Sequence, residues 1–304
     1  VKPIVSKLKQ SNFKKKRAKR PPRYAEPTKI EKQYIDIIIK EVRRYKKVVN
    51  EILIPLLPLI VKDYQEVNNI VFDGYVENLD AAQNLILLET TNERAILGFK
   101  EVAAKIGADI STYSLKQHTK VLKAALGVTP TVSEPWLATK AAEFTARNAD
   151  LIKTLNTETT KEITQLVRNG LQTGLRHEQI KAQIIQKIGD GTVKLSPSKM
   201  SMVNRAKLIA RDQTSKYYAE LNSLRQKQLG IEKYIWQANI DERTRESHRA
   251  LDGKICRWDD PTVYSEDGEN WQPRTSSMFI GHPGEDYNCR CYSEPYFNDI
   301  LKEL

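Results

Sequence analysis

Four side chains near the end of the sequence carry the atom types that bind transition metals. His248, His282, Cys289 and Cys291 offer two imidazoles and two thiols, the donor set that tetrahedral zinc favours at closed structural sites. They lie in a stretch poor in regular apolar patterning, where a bound ion can replace a missing core. The C-x-C spacing is tighter than the usual two-residue separation of zinc motifs, His248 is remote from the pair, and Cys256 is available as a substitute ligand. The competing use of these side chains is as buried thiols and hydrogen-bonded imidazoles in a small core. A second cluster, Asp241, Arg243, Thr244, Asp252 and Gly253, suits architecture better than catalysis. An Asp can cap a turn, the fork of Arg243 can bridge carboxylates, and Gly253 can supply positive φ. A third, hydrolytic use draws on His248, Asp241, Asn288 and His282, which could hold a divalent cation and activate water as a metal-dependent nuclease does. Their order and spacing reproduce no nuclease signature.

The elements that must position these groups are readable from periodicity. A long helix is expected from Ser196-Pro197-Ser198 to Gly230, with Val203, Ala206, Ile209, Ala210, Tyr217, Leu221 and Leu224 inward. Tyr234 to Ala238 then alternates as a strand does. Ile240 to Pro295, rich in Gly, Pro, Asp and Trp, reads as a small irregular α+β unit. Upstream the pattern is helix upon helix. Ile35, Ile38, Ile39, Val42, Tyr45, Val49 and Ile52 follow one helix face, and Pro55 and Pro58 are expected to end it. Further helical runs are expected from Leu59 towards Leu79 and from Asn92. Gly127 to Pro135 is a linker, and Ser133 is the expected N-cap of a helix through Leu155. Another helix runs through Ile163 and Val167, and a short one spans Ile180 to Ile188. The expected fold is mainly α, an elongated helical N-terminal region followed by a small α+β C-terminal domain. Its expected divisions are a basic tail (1–24), an N-terminal helical region (25–132), a helical hairpin or linker region (133–195) and the C-terminal domain (196–304).

Composition narrows the function classes. Apolar content of 40% with 29% charge indicates a globular chain. The longest apolar run, Ile52 to Val61, is short and broken by two prolines, so a membrane span is not expected. The start of the sequence is basic but lacks the apolar stretch of a secretory signal. Three cysteines do not make a disulfide framework, which fits a reducing compartment. Ten of the positive charges precede the first acid, Glu26, and subtracting them from the net +11 leaves about +1 for the remainder. The stretch before Tyr24 is therefore expected to be a disordered arm, with Lys14, Lys15, Lys16, Arg17, Lys19 and Arg20 as candidate phosphate contacts.

One ordered series connects these pieces. It comprises Ile209-Ala210-Arg211-Asp212-Gln213-Thr214, Trp236-Gln237-Ala238, Asp241-Glu242-Arg243-Thr244-Arg245-Glu246-Ser247-His248 and Leu251-Asp252-Gly253-Lys254. His282-Pro283, Asn288-Cys289-Arg290-Cys291 and Pro295 complete it. As a set it resembles the C-terminal domain of the phage Mu protein F-like head morphogenesis family, over roughly Ile163 to Pro295. The resemblance implies a minor head protein of a tailed bacteriophage, non-enzymatic and present in few copies. Its implied partners are portal protein, major capsid protein and phage DNA, without a membrane, and its implied roles are head assembly and DNA packaging or ejection. Its place would be the virion, with the host cytoplasm during assembly. Family members often carry cysteines where this chain has Arg245 and His248, so a zinc site here would use an altered ligand set. The alternatives are the nuclease above and a basic nucleic-acid-binding protein unrelated to virions.

Overall fold

A computed structural model describes residues 2–10, 22–67, 74–129, 133–189 and 200–303. Helices α1 (Pro3–Gln10), α2 (Thr28–Ile52), α3 (Leu57–Val67), α4 (Gly74–Thr91), α5 (Glu93–Leu126), α6 (Leu137–Gln172), α7 (His177–Ile188) and α8 (Met202–Gln228) lead to strand β1 (Lys233–Gln237). The one-turn helix α9 (Glu246–Arg249), strands β2 (Ile255–Arg257), β3 (Val263–Ser265), β4 (Trp271–Pro273) and β5 (Tyr292–Pro295), and α10 (Asn298–Lys302) follow. The chain is mainly helical with a small antiparallel sheet towards its end, as its patterning implies. Two compact units are assembled from interleaved segments. One takes Val1–Glu31, Ile106–Ala141 and Arg211–Leu304, the other Lys32–Lys105 and Ala142–Ala210.

The second unit is helical. The buried stripe of α2 is Tyr34, Ile38, Val42, Tyr45 and Val49, spaced three or four apart as one face of a helix requires. Its phenols find polar partners: Tyr34 donates to Asn148 Oδ1, and Tyr45 pairs with Thr160 Oγ1 at 2.8 Å. Helix α6 departs from expectation, because two anticipated helices are one of 36 residues. Its buried face includes Asn148, Asn156, Thr159, Thr160 and Thr164, so apolar periodicity fades where the helix does not. The three threonine hydroxyls donate to carbonyls four residues back, and Asn156 donates to the Thr90 carbonyl at 3.0 Å. Pro55 lies in a 3₁₀ turn, Ile54–Leu56, and Pro58 lies in the first turn of α3, where a missing amide costs nothing. The prolines therefore start an element as well as ending one.

The first unit holds the sheet, in the order β4-β3-β2-β1-β5 with antiparallel neighbours. Central β1 pairs Tyr234 with Cys256 of β2 and with Pro295 of β5. Alternation puts Tyr234 and Trp236 on one face, where they pack with Ala238, Leu251, Cys256, Trp258, Cys289 and Cys291. Helix α8 begins at Met202, after Ser201 accepts from the Asn204 amide; the expected start at 196–198 lies outside the described residues. Arg225 of α8 is fully buried, with its guanidinium on Glu134, Ser111 and Ser114. Glu134 is committed to this pair, and α6 starts at Leu137 instead of immediately after Ser133.

The disordered arm is corrected at residues 3–10. These form α1, whose Ile4, Val5 and Leu8 are at most 1% exposed and pack with Leu122, Leu126, Leu229, Ile231, Phe297 and Ile300. The three apolar residues share one helix face, a pattern hidden by the surrounding positive charge. Lys2 is not free either, lying 3.0 Å from Glu303 and 3.4 Å from Glu232. Lys14, Lys15, Lys16, Arg17, Lys19 and Arg20 lie outside the described residues.

Two outcomes follow from this packing. Leu8→Ala lowers stability by about 2–5 kcal/mol, as expected for a buried leucine; an unchanged urea midpoint would return the segment to a solvated arm. His118 is fully buried with Nδ1 2.9 Å from the Tyr24 hydroxyl, and burial, reinforced by Arg225, depresses its pKa from 6.5 to about 3. Below about 6.5 the unfolded chain takes up a proton that the folded chain refuses, so stability falls as pH drops towards about 3. His118→Gln flattens that dependence in urea titrations run across the same window.

Candidate metal centre

The site is built by α9 and by the segment entering β5. The single turn of α9, opened by the His248 amide donating to the Arg245 carbonyl, buries the His248 ring edge-on to Trp236 at 5.6 Å and tilted over Phe279 at 4.8 Å. Cys289 and Cys291 are also buried, and the three ligand atoms lie within 4.8 Å of one another. His248 Nδ1 is 3.4 Å from Cys291 Sγ and 3.5 Å from Cys289 Sγ. Its other nitrogen, Nε2, is 3.0 Å from Asp286 Oδ2. The C-x-C spacing puts both sulfurs near His248 Nδ1 while Arg290 between them reaches Asp241.

Charge is unequally shared. Cys291 donates to Cys289, whose thiol is held well below the ordinary range, with help from His248 and from the Gly284 amide at 3.4 Å. The same sharing and burial push the Cys291 thiol up. Burial alone would depress His248, but the Cys289 sulfur and the Asp286 carboxylate outweigh it and raise its pKa. Beside the cluster lies a cavity of about 20 Å³ whose lining includes Thr244, Asn288 and Arg290.

The structure brings together three of the four expected ligands and separates the fourth. His282 Nδ1 is 2.9 Å from the Tyr234 hydroxyl and its ring leans on Trp258. Aromatic packing, invisible to ligand counting, holds His282 outside the cluster found among the described residues. Cys256 is elsewhere too, accepting from Arg274 Nη2 at 3.3 Å. Of the nuclease grouping, His282 is bonded to Tyr234 and Asp241 to Arg290.

Asp241 Oδ1 accepts from the Arg243 amide at 3.0 Å and from the Thr244 hydroxyl at 3.2 Å. The Arg290 guanidinium holds the Asp241 pKa at about 2. Bridging therefore falls mainly to Arg290, since Arg243 is largely exposed and 3.5 Å from Asp241. Asp252 Oδ1 accepts from the Ala238 amide at 2.8 Å, and Gly253 turns the chain at φ 76. Three groups escaped the sequence reading. Asp212 of α8 accepts from the Asn288 amide at 2.7 Å. Asp286 orients His248. Arg274, buried, donates to the Phe279 and Gly281 carbonyls at 2.6 and 2.8 Å. Asp212 stood in the Ala-Arg-Asp-Gln-Thr series; Asp286 and Arg274 carried no spacing signal.

A family model described as phage Mu protein F like protein matches residues 161–294. This part of the chain is similar to the phage Mu protein F-like family. The F-like stretch thus contains α7, α8, every strand of the sheet up to Glu294, and the whole sulfur–imidazole cluster. An uncharacterized protein of Haemophilus influenzae is 33% identical over 193 residues, which is 63% of this chain and 36% of that protein. NAD(+)--arginine ADP-ribosyltransferase EFV of Enterococcus faecalis is 33% identical over 153 residues, 47% of this chain and 28% of that protein. The chain spans about a third of the length of these curated relatives. No solved structure matches it.

The loop carrying the cysteines is pressed against α8 at Gly284. A Cβ there would meet Ala219 Cβ at 2.2 Å, and φ is +89. Gly284→Ala combines overpacking with a left-handed backbone and costs about 2–5 kcal/mol. At Gly253 a Cβ meets open space, so Gly253→Ala costs only about 1–2 kcal/mol. Equal urea midpoints for the two variants would contradict this ranking.

Proposed function

We propose that the chain is a minor head protein of a tailed bacteriophage, acting as a non-enzymatic scaffold in head assembly with portal protein, major capsid protein and phage DNA as partners. The observation that carries the reading is the F-like match across residues 161–294, a family of phage head morphogenesis proteins. The commitment of Asp241, Asp252, Arg274 and His282 to structural hydrogen bonds supports the absence of catalysis. The transferase activity named in the Enterococcus relative is not carried over, because the match covers 28% of that protein. Among the described residues no helix is long and apolar enough to cross a membrane. The protein's place in this reading is the phage head, reached from the host cytoplasm during assembly, with a role in DNA packaging or ejection.

Imaging of intact particles with this chain labelled is expected to locate a few copies at the portal vertex; particles lacking the chain would end the proposal. Purified protein with plasmid and Mg²⁺ or Mn²⁺ is expected to leave the DNA intact, and turnover would install the nuclease instead. Because α1 is part of the packed core, binding to DNA is best tested by charge removal without truncation. Changing Lys14, Lys15, Lys16, Arg17, Lys19 and Arg20 to Gln is expected to reduce the log–log salt slope of DNA binding by about 0.9 for each phosphate that is no longer neutralised. An unchanged slope would remove these residues as the DNA-binding group.

A further inference from the structure

Both sulfurs of the cluster address the same nitrogen, His248 Nδ1, at 3.4 and 3.5 Å. An ion between them would serve all three. Zn–S bonds of about 2.3 Å and a Zn–N bond of about 2.0 Å, set at a tetrahedral angle, place nitrogen and sulfur about 3.5 Å apart, the separation observed.

We propose that His248, Cys289 and Cys291 bind one zinc ion, with a water molecule in the cavity beside them as the fourth ligand. The tautomer fits. Asp286 stands 3.0 Å from Nε2, and a carboxylate on the far nitrogen leaves the Nδ1 lone pair directed at the metal, as metal-bound imidazoles require. Two thiolates balance the charge of the dication, so the loaded centre is neutral in its buried setting. The cavity of about 20 Å³ accommodates a single water. Asn288 Oδ1, buried and without a hydrogen-bond partner among the described residues, lines that cavity and is an acceptor for the water. Two sulfurs and one nitrogen favour zinc over magnesium or calcium, which take oxygen ligands in larger numbers. The inference stands on side-chain geometry and is independent of the assembly role.

The test is metal analysis of full-length protein purified without chelator, with Cys289→Ser, Cys291→Ser, Asp286→Asn, His282→Ala and Cys256→Ser beside wild type. Expected are one zinc per chain in wild type, loss of most of it in the two serine variants at 289 and 291, and retention in His282→Ala and Cys256→Ser. Asp286→Asn is expected to keep the ion but release it to a competing chelator at about 10–100-fold lower concentration. Should the serine variants fail to fold, cobalt-substituted wild type decides: a thiolate-to-cobalt charge-transfer band with tetrahedral ligand-field intensity supports the site. Wild type without stoichiometric zinc and without that band overturns it, as does equal metal loss in Cys256→Ser and Cys289→Ser. X-ray absorption is expected to count two sulfurs and two lighter atoms around the ion; four sulfurs would overturn the assignment.

Discussion

Strands of three to five residues cannot by backbone pairing alone hold the connection that runs from residue 274 to residue 291. Its shape depends on polar pins. Arg274 gathers the Phe279 and Gly281 carbonyls at one end, Asp212 of α8 takes the Asn288 amide, and Arg290 locks onto Asp241 at the other end. Donors and acceptors of this kind contribute modestly when paired, and a buried one costs about 1–3 kcal/mol when its partner is removed. The sulfur pair is delivered to His248 because these pins leave the loop no alternative path, and Gly284 permits the close approach to α8 on which they rely.

What was legible in the sequence is what periodicity encodes. The α2 stripe, the α7 and α8 faces and the alternation of β1 all bury apolar side chains at the spacing their geometry demands. The long α6 was not, because Asn148, Asn156, Thr159 and Thr160 occupy core positions and are satisfied locally. Helix α1 was obscured for the converse reason: Ile4, Val5 and Leu8 are too few to register against a block of lysine and arginine. At the site, residue types pointed to His248, Cys289 and Cys291, yet nothing in the spacing distinguished His282 from them. The distinction is made by Tyr234 and Trp258, whose rings claim His282.

The polar groups of the F-like stretch are largely spent on its own architecture. Asp241, Asp252, Arg274 and Arg290 each close a turn or join two segments. A domain that invests its charges in this way offers rigidity to whatever it joins. That is the rigidity the proposed scaffold role calls for.

The packing of α1 also orders events in time. Ile4 and Leu8 share a cluster with Leu229, Phe297 and Ile300, so the contacts of this helix join residues more than two hundred positions apart in the sequence. Contacts of such long range are slow to form, and until they do, three aliphatic side chains stand exposed beside a cationic run. A chain in that condition is open to binding by a chaperone or an acidic surface until the helix docks.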